Sequence, residues 1–500
     1  MESNQHSIIH SKFVQNALAC LFLYMMVYGY QMLRLGLGGD EMWDLSEPLL
    51  GLYVAQGRFP IVLYHALCGC GQMVPWAYGV ASAVFYSLAV ALQIKILGFA
   101  KPVTRFLYIA VGLGVAYMSV MMNYANAADV MSLGILLVTI GFRYYQKACE
   151  AHAVKFYSLA IILTSFGVCC YQINILVFVA LALGVMLESD LSTRECMTRL
   201  CRLAVFALLV CAIQAALKTA SIHLMLHFRP DLGHYVSTAK GYQQGLIGWL
   251  SSSIEHNVFS SLSALKKCLL GQYIHGWFYA SCIVPVVYLA AKWRREPLRL
   301  LMLMALYLLP FTPLLIFAAG ITGKTVFFRL AIHASISAAV LWCIALKCSG
   351  MIDRERVRRF FAALSLVLVV EASYIASNDA FTKKRMYDFG VAKAQQITNE
   401  VNNYLHSNPE ASSQNLPVVV VGGFPFHGGN TSSEKSGSLF FGGYMFRHTS
   451  NPQLGFSTQA DLPETIQTEI TDLPAFPEKG AIKKIGDKIY VKCPNPDQMW

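Results

Sequence analysis

Two adjacent carboxylates are the first residues in this chain whose type and position could do chemistry. Asp40 and Glu41 follow Gly38-Gly39, directly after the first long apolar run. Carboxylates at a helix end near a bilayer surface are costly unless they are solvated or used, and glycines let the backbone turn sharply there. The pair is therefore a candidate functional site, although acidic residues are also ordinary in loops outside a membrane.

Asp129 is a second candidate acid. It stands at the start of another apolar run, just after the short polar turn 123–126. An isolated Asp in this place is also explained as a first-turn acid that the helix dipole favours. The shortness of the turn holds Asp129 at the mouth of the predicted helix bundle, and this placement keeps it among the candidates.

Three basic residues could bind an anion. Arg58 lies in Gln56-Gly57-Arg58-Phe59-Pro60, while Lys324 and Arg329 lie close together near the start of a late apolar run. An arginine inside an apolar run must either snorkel to the interface or bind an anion. Its planar fork of donors suits phosphate oxygens. Phosphate binding and plain snorkelling both remain open for Arg329.

Other polar residues are weaker candidates. Tyr171 and Gln172 form a polar–aromatic pair between two hydrophobic segments, where a plain turn is the alternative interpretation. His65, His275 and His333 are lone histidines and are interpreted as structural. No Cys/His spacing predicts a zinc site, so we expect no metal and no cofactor, although nothing excludes a divalent cation.

The elements that must position these residues are membrane-spanning helices. The chain has 500 residues, 56% of them hydrophobic and only 13% charged, which is about half the charged fraction of a soluble domain. Long apolar runs separated by short charged loops predict an all-α polytopic membrane protein with about eleven spans. The predicted spans are 13–36, 75–98, 105–122, 128–145, 155–170, 172–188, 203–224, 275–292, 298–318, 326–346 and 358–376.

The basic residues predict the orientation of these spans. The net charge of +11 is concentrated in every second loop, for example Arg194, Arg199 and Arg202, whereas the loop 37–74 holds Arg58 as its single basic residue. The positive-inside rule therefore places the N-terminus in the cytoplasm, and an odd number of spans places the C-terminus outside. The excess positive charge is a topology signal and does not predict nucleic-acid binding.

Three segments on the predicted outer side are long enough to hold structure. Segment 37–74 is expected to form amphipathic helices at Leu45–Ala55 and Phe59–Cys68, separated by Gly57 and Pro60, and segment 225–274 is expected to rest on the membrane interface.

Residues 377–500 differ in composition from the transmembrane domain 1–376. They are polar and rich in Asn, Ser, Gly and Pro, and they carry a helical pattern at 380–405. Val418–Val421 and Lys488–Lys492 have the composition of strands. We therefore predict a small C-terminal α/β domain on the extracytoplasmic, periplasmic side.

The order of these motifs resembles the GT-C glycosyltransferases and, more narrowly, the O-antigen glucosyl transferase II family of bacterial and prophage enzymes. The early acidic motif Asp40-Glu41, where the family has paired Asp, is followed by Gly57-Arg58-Phe59-Pro60, which is similar to a Gly-Arg-Pro turn with Phe59 interposed. Tyr171-Gln172 and Arg329 are similar to the family's Tyr-Gln pair and late arginine. The stretch Asn378–Leu405 also resembles its post-membrane segment, and the likeness is spread over most of residues 30–405.

The resemblance implies a function. The donor would be a polyprenyl-phosphate hexose, with glucose the first candidate, and the acceptor would be an envelope glycan such as O-antigen, in the bacterial inner membrane. Asp40 or Glu41 would act as general base and Asp129 as a second acid. Arg58, Lys324 and Arg329 would stabilise the departing phosphate, and attack opposite that group inverts the anomeric carbon. A separate donor synthase and flippase would supply the donor.

Two other functions remain open from the residues. An O-antigen polymerase or ligase also handles lipid-linked sugars outside the cell, but it typically relies on large outer loops rich in Arg and His. A non-enzymatic transporter or flippase would need charged or broken helices near mid-membrane. Pro310 and Pro313 could break one span, yet few ionisable residues lie in mid-span.

Overall fold

The computed structural model describes the apolar helices, the segment between the first two of them, and parts of the C-terminal region. Described are residues 2–33, 50–67, 75–114, 128–151, 153–233, 236, 281–309, 334–409, 416–421, 424–425, 438–439, 456–458 and 464–494. The predicted site residues Asp40, Glu41, Lys324 and Arg329 lie outside these ranges, as does most of segment 225–274.

Helices dominate the described part of the chain. In chain order they are α1 Glu2–Leu33, α2 Leu50–Ala55, α3 Phe59–Leu67, α4 Pro75–Ile96, α5 Pro102–Gly114, α6 Ala128–Ala151, α7 Val154–Cys170, α8 Ile175–Glu188, α9 Thr193–Phe228, α10 Ile283–Lys292, α11 Pro297–Leu308, α12 Ala334–Ser349, α13 Glu355–Ser407 and α14 Glu464–Thr471.

Five of these helices are long and apolar enough to cross a membrane. They are the helical segments Lys12–Leu33, Trp76–Ile96, Ala128–Ala151, Thr193–Phe228 and Glu355–Asn378. Six shorter apolar helices of 10–17 residues in the described ranges overlap the other predicted spans. A span needs about 20 apolar residues, so the helical membrane architecture is present and the number of eleven spans stays a prediction.

Close packing of small residues joins α6 to α7. A Cβ atom added to Gly134 would lie 2.9 Å from the carbonyl oxygen of Gly167, and one added to Gly167 would lie 2.7 Å from the carbonyl oxygen of Gly134. Small residues of this kind let two membrane helices approach at backbone distance. Because α6 and α7 are joined by a short connection, this contact brings the start of α6, with Asp129, to the same end as Tyr171 after α7.

Buried polar chains connect further helices of the bundle. The Tyr24 hydroxyl lies 2.9 Å from Ser82 Oγ, which lies 2.7 Å from Ser132 Oγ, so α1, α4 and α6 share one hydrogen-bonded chain. Gln93 on α4 accepts from the Tyr108 hydroxyl of α5 and donates to Thr139 of α6. In lipid such bonds hold helices together because the alternative is an unsatisfied polar group.

The two ends of α8 differ in chemistry. Its N-terminal end follows Gln172, whereas at its C-terminal end Glu188 accepts a 2.7 Å hydrogen bond from Lys347. Arg299 donates to the carbonyl oxygen of Ser189 at that same end. Since a helix rises about 1.5 Å per residue, the length of α8 separates these basic residues from Gln172 by about 20 Å. Lys347 and Arg299 belong to the predicted cytoplasmic loops.

Two expectations about segment boundaries are wrong. Pro60 does not break the outer helices, because it is the second residue of α3, where its missing N–H costs no intrahelical bond. The break comprises Gln56, Gly57 and Arg58. The span predicted at 358–376 and the helix predicted at 380–405 are parts of one continuous helix, α13.

The chain divides into two compact units, and the described residues from Asn378 onward belong to the second. Its strands are β1 Val418–Val421, β2 Phe424–Pro425, β3 Ser438–Leu439, β4 Phe456–Thr458, β5 Ile482–Ile485 and β6 Lys488–Lys492. The main sheet has the order β4-β1-β6-β5, in which β1 is parallel to β4 and β6. The strands predicted at β1 and β6 are present.

The central strand β1 is covered by a helix on each face. Val418 and Val420 pack with Ala394, Ile397 and Val401 of α13. Between them along the strand, Val419 packs with Tyr490 and with Ile470 of α14. Alternate residues of a strand point to opposite faces, so the second unit has α/β/α layers. Its location outside the membrane stays a prediction.

Candidate functional site

A tight turn between α2 and α3 presents Arg58. Gly57 has φ +80°, its N–H donates to the Val54 carbonyl, and the Arg58 N–H donates to the Tyr53 carbonyl. These two bonds and the left-handed glycine form a Schellman motif that ends α2. The sequence Gln56-Gly57-Arg58 therefore fixes where the arginine leaves the turn.

The Arg58 side chain lies on the break between α7 and α8. Its guanidinium carbon is 4.9 Å from the centre of the Tyr171 ring, and its Nε lies 3.5 Å from Gln172 Oε1. Tyr171 is buried and has extended backbone, so it ends α7 and turns its ring toward the arginine. An arginine stacked in this way is held by cation–π attraction as well as by hydrogen bonding.

Gln172 also holds the turn itself. Its Nε2 donates a 2.7 Å hydrogen bond to the carbonyl oxygen of Gln56, one of the last carbonyls of α2 that no helical N–H can satisfy. One glutamine side chain therefore contacts both Arg58 and the backbone that carries it. The structure brings together three predicted site residues, Arg58, Tyr171 and Gln172, from segments more than a hundred positions apart.

A second cation packs against the same turn. A Cβ atom added to Gly57 would lie 3.0 Å from Cδ of Lys218 and 3.1 Å from Nε2 of Gln214, both on α9. Lys218 is not among the site residues predicted from the sequence, because a single lysine near one end of an apolar run has no motif around it. Glycine at position 57 is thus required both by its backbone angle and by the closeness of α9.

Asp129 lies in the first turn of α6 and is fully buried. Its Oδ1 accepts from the backbone N–H of Val130 at 2.8 Å, as expected of an acid at a helix start. Its Oδ2 lies 3.7 Å from His65 Nε2. In the described part of the chain neither of these two atoms has a hydrogen-bond partner, although both are buried. Asp129 therefore faces an imidazole as well as capping its helix.

His65, interpreted from the sequence as structural, contacts Asp129 and is a further candidate site residue. It lies in the last turn of α3, its ring is stacked on Tyr78 of α4 with centroids 4.8 Å apart, and its side chain is 15% exposed. A single histidine has no motif around it, so only its place on the predicted helix Phe59–Cys68 could have drawn attention to it. The structure gives His65 an acidic partner, Asp129, and this contact makes it a further candidate site residue.

Two contacts lie along one side of α3 and the residue before it: Arg58 on Tyr171, and His65 on Asp129. Arg58 and His65 are seven residues apart in sequence, which puts them on the same helix face about 10 Å apart. Ile61, between them, is fully buried. The hairpin of α2 and α3 is thus pinned to the bundle at two points, by Arg58 on Tyr171 and by His65 on Asp129.

The described residues show no metal centre: no group of three or more His, Cys, Asp or Glu side chains lies close enough there to hold an ion. What they offer chemically is a stacked guanidinium, able to bind a phosphate, and an acid–base pair, able to move a proton. No protein-family model matches the chain, no curated protein matches its sequence, and no solved structure matches its fold.

Proposed function

We propose that this protein is a membrane glycosyltransferase. It transfers a hexose, with glucose the first candidate, from a polyprenyl-phosphate carrier to an envelope glycan such as O-antigen. The reaction takes place on the outer side of the bacterial cytoplasmic membrane. The proposal rests on the order of motifs in the sequence and on one observation in the structure, the contact of Arg58 with Tyr171 and Gln172.

That contact supports the proposal because it combines the parts that a lipid-linked sugar phosphate requires. Arg58 contacts Gln172 through Nε, and its planar guanidinium has the geometry and charge that suit phosphate oxygens. Tyr171 supplies an aromatic surface beside them. Because Arg58 follows the apolar helix α2 and Tyr171 follows the apolar helix α7, an isoprenoid tail can lie in lipid while its phosphate reaches the arginine.

The sidedness of the charges agrees with this placement. The basic residues Lys347 and Arg299 lie at the opposite end of α8 from Gln172. If those residues are cytoplasmic, as the positive-inside rule predicts, Arg58 and Asp129 lie at the outer mouth of the bundle. There a sugar presented on the outer leaflet can meet a glycan that never enters the cytoplasm.

The reaction needs two functions from the protein. The bond between the anomeric carbon and phosphate breaks, and Arg58 stabilises the negative charge that develops on the phosphate. The acceptor hydroxyl attacks the opposite face of that carbon and must lose its proton. The carboxylates Asp40 and Glu41 are the sequence candidates for this base, and Asp129 is a described carboxylate that contacts α3 through His65.

The test is transfer by purified full-length protein in lipid nanodiscs, supplied with polyprenyl-phosphate [¹⁴C]glucose and O-antigen lipopolysaccharide. We expect wild type to label the glycan. Arg58→Ala should reduce the rate about 10²-fold, as loss of one charge-stabilising donor does. The transfer rate of Arg58→Lys should lie between those of wild type and Arg58→Ala, because an ammonium keeps the positive charge but lacks the planar fork of donors.

Arg354→Ala is the matched control, because Arg354 is exposed and lies in a predicted cytoplasmic loop. It should transfer at the wild-type rate. Wild type that ignores this donor but extends a lipid-diphosphate glycan would make the protein a polymerase or ligase instead. Movement of the labelled lipid across the membrane without transfer would make it a flippase.

A further inference from the structure

We infer that His65 is the proton acceptor of the transfer reaction and that Asp129 is its positioning residue. This inference rests on the proposed function. It assigns the base to an imidazole on α3, in place of the carboxylates expected from the sequence.

The burial of the pair is the first argument. Asp129 is fully buried, and its Oδ2 and His65 Nε2 lie 3.7 Å apart without another hydrogen-bond partner among the described residues. Taking a carboxylate and an imidazole nitrogen out of water without satisfying them costs free energy. A buried polar group left unsatisfied in a folded protein calls for an explanation, and a catalytic role is one. The distance is slightly longer than a hydrogen bond, as is common in catalytic pairs before substrate binds.

The orientation of the ring is the second argument. With Nε2 directed at Asp129 and buried, Nδ1 is the nitrogen left to exchange a proton with another molecule. The stack on Tyr78 fixes the ring plane, and the remaining 15% exposure of the side chain leaves it accessible from outside the bundle. Asp129 itself is fully buried and cannot reach an acceptor, so its chemical effect must pass through the histidine.

Aromatic and weakly polar groups of the described residues lie beside the pair. They are the ring of Tyr64 on the same helix, the ring of Tyr78 on α4, and, on the side of Asp129, the Tyr24 hydroxyl of α1 and the Cys170 thiol of α7. An apolar, aromatic setting of this kind strengthens the interaction of one carboxylate with one imidazole.

The proton balance of the step is complete. The acceptor oxygen forms the new bond to the anomeric carbon as the bond from that carbon to the phosphate oxygen breaks. The electron pair of the broken bond leaves with polyprenyl phosphate, whose charge Arg58 faces. The hydroxyl proton passes to Nδ1 of His65, and Asp129 stabilises the imidazolium that results. No oxidant, metal or second substrate is needed.

The experiment uses the nanodisc assay with His65→Ala, Asp129→Asn and the double variant. We expect His65→Ala to lower kcat about 10²-fold or more with an unchanged donor KM, and added imidazole to restore part of the rate. Asp129→Asn should also lower kcat, with no restoration by imidazole. Since the two residues act as one unit, the double variant should be no slower than His65→Ala. His223→Ala, which changes an exposed histidine on α9, is the control and should match wild type.

Several results would overturn the assignment. His65 is not the base if His65→Ala transfers sugar within twofold of the wild-type rate. It is also not the base if the variant has the wild-type melting temperature and imidazole restores none of its activity. Should His65→Ala not fold, the near-isosteric Asp129→Asn decides: normal turnover in it rejects the pair, and lowered kcat at unchanged KM supports it. Wild type without any transfer refutes the proposed function itself, a result distinct from an active wild type with an active His65 variant.

Discussion

Gln172 donates a 2.7 Å hydrogen bond from its side-chain amide to the backbone carbonyl of Gln56. The bond satisfies a carbonyl at the end of α2 that has no helical partner, and it joins the turn carrying Arg58 to the break between α7 and α8. The position of the arginine therefore depends on a residue that is distant in sequence and is not itself charged.

Replacement of this glutamine should loosen the turn. We expect Gln172→Ala to lower the free energy of unfolding by about 1 kcal/mol, the usual net value of one such bond. It should also slow sugar transfer, because Arg58 loses its amide contact. Thermal unfolding in detergent and the nanodisc assay measure the two effects. Gln146→Ala removes a glutamine that only accepts from Arg143 within α6 and should change neither; equal effects in both variants would contradict the prediction.

Gly57 should tolerate no side chain. Its φ of +80° is strained for any L-residue, and an added Cβ would meet the Lys218 side chain at 3.0 Å. Gly57→Ala should therefore destabilise the protein by about 1–2 kcal/mol. Gly29→Ala is the control, because no atom of the described residues lies within 4 Å of its added Cβ inside α1, and alanine there should stabilise by about 0.5–1 kcal/mol. Opposite signs in thermal unfolding are the expected result, and equal signs would refute the account of the turn.

The close crossing of α6 and α7 should be sensitive to one methyl group. At position 134 an added Cβ would lie 2.3 Å from Asn174 Nδ2 and 2.8 Å from Cβ of Cys170. Gly134→Ala should cost about 1–3 kcal/mol, the usual cost of overpacking. It should also move Asp129 away from His65, so transfer should fall even at temperatures where the variant stays folded. A Gly134→Ala protein with wild-type stability and activity would show that the helices do not meet there.

The second unit should respond to alkaline pH through one thiol. Burial raises the pKa of Cys493 from its ordinary 9.0 to about 12, so the folded state favours the neutral thiol. Its contribution to stability is complete below pH 9 and is lost as the pH rises toward 12. Cys493 should resist iodoacetamide at pH 8.5 in native protein, whereas the exposed Cys201 should react.

Comparison with Cys493→Ala isolates that effect from other groups that titrate above pH 9. The variant should lose part of the alkaline destabilisation of the second unit, measured by chemical unfolding at pH 8, 9 and 10. Rapid alkylation of native Cys493, or identical pH profiles for variant and wild type, would show that the thiol is not buried as the structure has it.

The elements of this fold follow largely from local sequence, whereas the pairings in the site do not. Long apolar runs predicted the helices, and β-branched residues predicted β1 and β6, because both signals act within one segment. The strand β5 was missed although Gly486-Asp487 is a two-residue hairpin turn, since the residues before it alternate weakly. The continuity of α13 was also missed, because its change from apolar to polar residues resembles the end of a span.

The contacts within the candidate site also could not be predicted from single segments of the sequence. The residue types of Arg58, Tyr171 and Gln172 predicted binding groups, but their mutual contact depends on how α2 and α3 pack on α7 and α9. His65 was set aside because its partner lies on another helix, and nothing within its own segment records that helix. Sequence patterns report which faces are apolar; they do not report which two polar side chains will meet across a packed interface.

The helices α6 and α9 differ in apolarity and burial, and this difference affects how each enters the membrane during synthesis. The most apolar window of α9 has a mean hydropathy of 2.3 with 17% of it buried, whereas that of α6 has a mean hydropathy of 1.2 with 67% buried. A nascent helix leaves the translocon for lipid according to its own apolarity. We expect α9 to do so unaided, and α6, with Asp129 and its buried hydroxyls, to wait at the translocon until α7 emerges to cover it. We therefore expect the polar residues of the candidate site also to influence the order in which the helices enter the membrane.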